Sequence, residues 1–299
     1  MKRKHILITT LTLTLLTTVI YLFAYSSQTS NSTQNKSTQA SESTRDPTPT
    51  KSLKPYVQLA HEGKIDSRYV IPANGRAFSV RRPPIFRPPG DALAYANGFL
   101  EASRRGDANS TYEIFLTISD CQNAMEGAPP TNLKDPEQRE FALQEIEYFK
   151  TKLAECESLL GDASFNSLNW LELAAEQGSI EARLMYSINP DHILGDVNSY
   201  SMKPEKVIEW KEKSISYLED SSRKGSINAL FQLSNVYETG IVAPSDPIKS
   251  LAYQIAYDNT KPGNASNERQ LELRRSLTPE QQSRADKISK NIIKSCCTN

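Results

Sequence analysis

The residues of this chain best able to do chemistry are its three histidines, its four cysteines and its 35 acidic residues. His5, His61 and His192 lie far apart, in segments of different character, and no spacing brings two of them together. His61-Glu62 would open a zinc-protease helix if position 66 were histidine, but Asp66 stands there. The sequence has neither a glycine-rich loop to cradle a phosphate nor a Cys-x-x-Cys pair to hold zinc. Glu140, Glu145, Glu147, Glu155 and Glu157 fall along an amphipathic helix and read as its solvated face. A general acid needs burial to raise its pKa, and nothing in the pattern signals a buried charge. No catalytic, cofactor-binding or metal-ligating residue is expected, and the chain is not expected to be an enzyme.

The cysteines sit on helical stripes. Cys121 follows Ile114 and Ile118 and precedes Met125. Cys156 belongs to the stripe Ala142, Ile146, Phe149, Leu153, Cys156 and Leu160, whose alternating steps of four and three residues define one helix face. Short connections make successive helices antiparallel neighbours, so Cys121 and Cys156 are expected to meet and, in an oxidising compartment, to close a disulfide. The blander reading is two inert core cysteines. A bond between the adjacent Cys296 and Cys297 is strained. Each of these is therefore expected to be free, paired with another chain, or paired elsewhere in the fold. Four cysteines allow three pairings.

The elements that must position these residues carry one signature used three times. Phe99-Leu100-Glu101-Ala102-Ser103-Arg104-Arg105-Gly106, Leu171-Glu172-Leu173-Ala174-Ala175-Glu176-Gln177-Gly178 and Leu218-Glu219-Asp220-Ser221-Ser222-Arg223-Lys224-Gly225 align without a gap. Four residues past each glycine stands Ser110, Ala182 or Ala229. Each block reads as a helix end, a glycine stop in the left-handed conformation and the first turn of the next helix. Two adjacent small residues stand where a second backbone must come close. Such a unit cannot bury its own apolar face and needs neighbours stacked against it. The expected fold is all-α, an α/α solenoid of antiparallel helix pairs. Small residues and glycine also end helices in ordinary bundles, but the agreement of three blocks favours the array.

The third block continues through Ala229-Leu230, Tyr237 and Gly240 to Asp246-Pro247-Ile248-Lys249, which opens a new helix. This order resembles the Sel-one-like repeat, a subtype of the tetratricopeptide-like α/α solenoids. The resemblance is good over residues 204–258, fair over 166–188 and weak over 90–120. It implies protein–protein assembly. The second copy departs from the pattern at Ser187-Ile188-Asn189-Pro190, so its second helix should be short. Gly178 and Gly225 lie 47 residues apart and Gly106 and Gly178 72 apart, so an unmatched helical unit is expected between the first two copies. Asp135-Pro136-Glu137-Gln138 and Thr278-Pro279-Glu280-Gln281 read as further helix starts. The final helix, amphipathic through Ala285, Ile288, Ile292 and Ile293, is expected to cap the open end.

Four segments follow: 1–26, a signal peptide or single-pass anchor; 27–55, a disordered Ser/Thr-rich linker; 56–90, an extended Pro-rich arm; and 91–295, the helical repeat domain. Met1 to His5 is basic, and Ile6–Tyr25 is an uncharged run of 20 residues. A signal peptide could be cut after Ala24-Tyr25-Ser26. An anchor of that length covers a bilayer core of about 30 Å, and length favours the anchor, with its basic flank kept in the cytoplasm. Either way the folded part is exported. The linker has almost nothing apolar to offset its ordering entropy. In the arm, Arg76, Arg81, Arg82 and Arg87 are interleaved with Pro83, Pro84, Pro88 and Pro89 and read as a solvated, extended stretch.

Basic and acidic residues balance at 35 each, so no bulk field draws nucleic acid. The expectation is an adaptor of the bacterial cell envelope, membrane-anchored facing the periplasm or secreted into it. It would bind an unidentified protein or peptide there and touch the membrane through residues 6–25 if uncleaved. Trp170, Tyr186, Trp210, Tyr217, Tyr237, Tyr253 and Tyr257 are the aromatic candidates for anchoring a partner, although helix packing claims most of them. The alternative is an envelope enzyme acting on cell-wall-type ligands. Relatives of that kind carry a cysteine pair in every repeat, and this chain does not.

Overall fold

In a computed structural model of the chain, which describes residues 54–84, 87–126, 136–261 and 267–298, the three repeated glycines build one corner three times. Gly106, Gly178 and Gly225 take φ angles of 91°, 103° and 98°. Beyond each glycine the next N–H reaches back five residues, from Asp107 to Ala102 O at 3.0 Å, Ser179 to Ala174 O at 3.0 Å and Ser226 to Ser221 O at 3.1 Å. That bond closes the outgoing helix. The same residue then caps the incoming one. Asp107 Oδ1 accepts from Ser110 N at 2.6 Å, Ser179 Oγ from Ala182 N at 3.2 Å and Ser226 Oγ from Ala229 N at 3.4 Å. The small residue four past each glycine is thus the one whose N–H is capped.

The corners differ in what lies above them. A Cβ added at Gly106 would meet nothing within 4 Å, whereas one at Gly225 would stand 3.0 Å from Arg76 O. Gly106→Ala is therefore expected to cost the backbone term alone, about 1–2 kcal/mol. Gly225→Ala should cost more, because the chain above it must shift. Urea unfolding of both variants checks the order.

The helices run α1 (Pro55–His61), α2 (Ala92–Arg104), α3 (Ala108–Glu126), α4 (Pro136–Gly161), α5 (Ala163–Asn166), α6 (Trp170–Gln177) and α7 (Ile180–Ile188). They continue with α8 (Asp191–Leu194), α9 (Val197–Met202), α10 (Pro204–Arg223), α11 (Ile227–Thr239), α12 (Pro247–Thr260), α13 (Glu268–Arg275) and α14 (Pro279–Cys296). Packing follows the chain. In succession α2, α3, α6, α7, α10, α11, α12 and α14 each pack on the next, and α4 lies against α2 and α3. Apolar clusters fill the seams, with Ile114, Leu171, Ala174, Tyr186 and Trp210 in one and Leu251, Leu273, Leu277 and Ala285 in another. The second copy is cut short before Pro190, so α7 has 9 residues against 13 in α11. On α4 the inner stripe is displaced: Leu153 is 42% exposed and Leu159 takes the buried position.

The described part is all-helical except for one hairpin, β1 (Val70–Pro72) paired antiparallel with β2 (Phe78–Val80). It belongs to the 56–90 segment, which is not simply extended, since it also contains α1 and a 3-10 turn at Ser67–Tyr69. This arm satisfies helix ends. The adjacent carbonyls of Gly63 and Lys64 accept from Asn109 N at 2.7 Å and Ile180 N at 2.9 Å. Those are two of the donors that the first turns of α3 and α7 leave open. Phe78 N donates to Gly225 O at 2.9 Å, Asn74 N to Thr260 O at 3.0 Å and Arg76 N to Cys297 O at 2.8 Å. One strap therefore touches all three glycine corners and the C-terminal ends of α12 and α14.

The 1–26 segment, nearly all of the 27–55 linker and the Asp135 cap lie outside the described residues. Among the described residues no helix is long and apolar enough to cross a membrane. Cys121 and Cys156 are joined by a disulfide, with Cα atoms 5.4 Å apart. Contrary to expectation, Cys296 and Cys297 are bonded to each other. Both are buried beside Ala77 of the arm and Leu230, which takes them out of reach of another chain.

Candidate functional site

The arm carries two arginines into the helical body, and the sequence reading had both of them solvated. Arg82 is 11% exposed and lies between Glu113 of α3, at 1%, and Glu181 of α7, at 7%. Its Nε and Nη2 donate to the two oxygens of Glu181 at 2.5 and 3.1 Å, a bidentate pair. Its Nη1 donates to Glu113 Oε1 at 2.6 Å. The guanidinium also lies 4.4 Å from the centre of the Tyr69 ring and 5.5 Å from that of Tyr112. Five residues on, Arg87 Nη2 donates to Glu155 Oε2 at 2.9 Å and its Nε lies 3.3 Å from Asp120 Oδ2. Glu155, read from sequence as solvated, also accepts from Gly90 N at 2.9 Å. The Cys121–Cys156 bond lies alongside, with Cys156 Sγ 3.9 Å from Arg87 Nη2.

Two acids share the Arg82 guanidinium. Burial works against the Arg82 charge, yet Glu181 and then Glu113 hold its pKa above the ordinary arginine value. Glu181 does not behave as a simple ion-pair partner. Burial pushes its carboxyl up, the neighbouring Glu113 carboxylate adds to that, and the pull of Arg82 does not offset both. Glu113 Oε2 is buried without a hydrogen-bond partner. At the rim, burial opposes ionisation of Asp66, but hydrogen bonds from Arg68 hold it below the usual aspartate range. The sequence held one clue to this cluster. Glu113 interrupts the apolar run Tyr112-Glu113-Ile114-Phe115-Leu116, where a charge needs a partner if it is to be buried.

Beside Arg82 a groove of about 420 Å³ opens between the arm and three helices. The arm contributes Val80, Arg82, Pro83 and Pro84, and α3 contributes Tyr112, Leu116, Ser119, Asp120 and Asn123. From α7 come Glu181, Leu184, Met185 and Ile188, and from α11 Asn228 and Gln232. Its charged lining is already paired: Arg82 with Glu113 and Glu181, Asp120 with Arg87 and Lys152. What remains for a ligand is apolar wall and neutral hydrogen-bonding groups. Among the described residues no cluster of His, Cys, Asp and Glu could hold a metal ion.

The aromatic candidates do not line this groove. Trp170, Tyr186, Trp210 and Tyr237 are buried, and the indole N–H groups of Trp170 and Trp210 donate to Phe165 O and Tyr186 O. Tyr217, Tyr253 and Tyr257 are half-buried against Tyr186, Tyr237 and Phe231 respectively. Aromatic spacing signalled helix packing.

A second hollow holds His192, whose ring meets Phe115 edge-on at 5.1 Å. Burial lowers its pKa below 6.5, although Asp191 and Glu126 pull the other way. The folded protein thus keeps the imidazole neutral where the unfolded chain would protonate it. Its contribution to stability is present above pH 6.5 and is lost as pH falls below that value. His192→Gln is expected to flatten the drop in Tm between neutral and mildly acid pH.

No family model and no curated protein matches the chain. Among solved structures, 70% of it aligns with a protective antigen present in uropathogenic Escherichia coli strains, described as displaying an SLR fold, at 15% identity and a TM-score of 0.26. The chain covers 57% of that neighbour, little more than half its length. So remote a likeness says nothing of what either protein binds, and the functional reading rests on this chain's own geometry.

Proposed function

We propose that this protein is an exported or membrane-tethered helical-repeat adaptor that binds a protein or peptide in the bacterial cell envelope, and that it is not an enzyme. The observation that carries the reading is the groove under Arg82, whose charged lining is paired within the protein while its neutral polar and apolar lining is left for a partner. A general acid–base pair needs ionisable groups free to exchange protons with a substrate. Here Arg82, Glu181 and Asp120 are committed to holding the arm. The stack of helices on identical corners supports an assembly role in the same way, since each added unit extends surface without building an enclosed chamber. The basic start of the chain and the uncharged 6–25 run support export.

The test is capture from bacterial envelope extract with the full chain as bait. Recovery of one or a few proteins reproducibly, competed by untagged protein, is the expected result. Recovery of nothing specific across salt and detergent conditions would remove the reading. Loss of a periplasm-dependent reporter fused after Asn299 when residues 6–25 are deleted would support export, and an unchanged signal would count against it.

A further inference from the structure

The groove has a neighbour that tells what fits it. Along its upper edge the chain's own arm is already bound as an extended segment, and the helical body reads that segment through backbone as well as side chains. Val80 N donates to Asn228 Oδ1 of α11 at 2.9 Å, and Phe78 N to Gly225 O at 2.9 Å. Gln232 stands one helical turn beyond Asn228 on α11 and lines the open part of the groove. Its side chain lies 3.0 Å from Ser187 Oγ, a hydroxyl that also lies 3.0 Å from Leu184 O, so the amide is anchored at the groove floor. The opposite wall is aliphatic: Leu116 of α3, with Met185 and Ile188 of α7. Ile188 is 59% exposed, a large apolar side chain with solvent on one side and the groove on the other.

Resting on the adaptor reading, we propose that this groove takes an extended, uncharged peptide segment of a partner protein, laid alongside Val80–Pro84. A backbone carbonyl of the segment is held by Gln232, and an aliphatic side chain sets among Leu116, Met185 and Ile188. Extension follows from the continuity with the arm, whose strand the same helix already holds by a side-chain amide. Absence of charge follows from the pairing of Arg82, Glu181 and Asp120: a charged side chain entering here would lose its water and find those partners taken. The volume, about 420 Å³, lies within the range of small ligand sites and suits a few residues rather than a folded surface.

The experiment uses the purified full chain against an array of blocked, uncharged decapeptides with aliphatic residues at alternating positions, beside a matched array with lysine or glutamate substituted in. The best binder is then titrated by fluorescence anisotropy. Binding is expected from the uncharged array, with about a tenfold loss in Gln232→Ala and loss of detectable binding in Ile188→Lys. The second substitution is at an exposed position, so it leaves the fold intact. A photocrosslinker at Ile188 should capture the peptide, and one at Ile208, exposed on α10 and not part of this groove's lining, should not. Binding only by charged peptides, binding indifferent to both variants, or no binding at all would overturn the proposal. If Ile188→Lys still recovers the envelope partner in the capture experiment, the adaptor reading stands and this groove is not where that partner docks.

Discussion

Arg82→Met is expected to lower the unfolding free energy by about 3–5 kcal/mol at neutral pH, a large share of the 5–15 kcal/mol typical of a folded domain. The loss does not measure what the ion pairs contribute. It measures what Glu113 and Glu181 cost once their shared guanidinium is gone, one at 1% and the other at 7% exposure. Methionine retains much of the aliphatic stem, and what it removes is the guanidinium beside the Tyr69 and Tyr112 rings. The neighbouring Arg81 is exposed, and Arg81→Met should fall within about 0.5 kcal/mol of the parent.

The pH dependence of that difference carries the sign. In the variant the Glu181 carboxyl, which burial already holds above the usual glutamate range, loses the opposing pull of Arg82 and is pushed up further. A group of that kind destabilises the fold at high pH, and the penalty fades as pH falls through its folded pKa and it takes up a proton. The gap between Arg82→Met and parent should therefore be widest near pH 7 and should narrow toward pH 5. Urea unfolding at both pH values reads it. A gap that stays constant with pH would mean that the arm is held by its apolar contacts and hairpin, with the buried charges incidental.

How much of this was legible in the sequence divides along the range of the interactions. The corners at Gly106, Gly178 and Gly225 were legible because every bond in them lies within eight residues. A left-handed glycine, a reach back of five and a cap three ahead leave a fixed spacing of small residues in the chain. The stack of helices follows from the same blocks. The arm was illegible because what it does is done at a distance. Arg82 meets Glu181 across 99 residues and Asn74 meets Asn259 across 185, and no local pattern records either partner. Its five arginines and five prolines have the composition of a solvated linker, and only Glu113, set among Tyr112, Ile114 and Phe115, hinted that a basic partner must arrive from elsewhere. Glu155 was misread for the same reason, as a helix-face carboxylate whose partner, Arg87, lies on the arm. The groove inherits that difficulty, since one of its walls is the arm.

Removing the Cys121–Cys156 bond, by Cys121→Ala together with Cys156→Ala, should lower stability by about 4 kcal/mol on the chain-entropy model for a loop of 35 residues. The size of the effect depends on what α4 lacks. It has no glycine corner tying it to the stack and packs only on α2 and α3 along the ordered succession. Its Phe141 and Tyr148 are exposed, so little buried apolar area holds the helix in its place. The bond therefore ties a weakly packed helix to α3, and α4 in turn carries Glu155, the acceptor for Arg87 and for Gly90 N. Two consequences follow. The double variant should weaken the Arg87 end of the arm, so that Arg87→Met costs less in its background than in the parent, by a coupling of about 0.5–3 kcal/mol. Reductant should destabilise the parent by about the amount that the double substitution does, and should do so slowly, because both sulfurs are fully buried and exchange awaits opening of the α3–α4 seam. Equilibrium unfolding in urea, with and without dithiothreitol, distinguishes these outcomes. A double variant within about 0.5 kcal/mol of the parent would mean that α4 is held by its seam with α2 and α3 alone, and that the arm is independent of the bond beside Arg87.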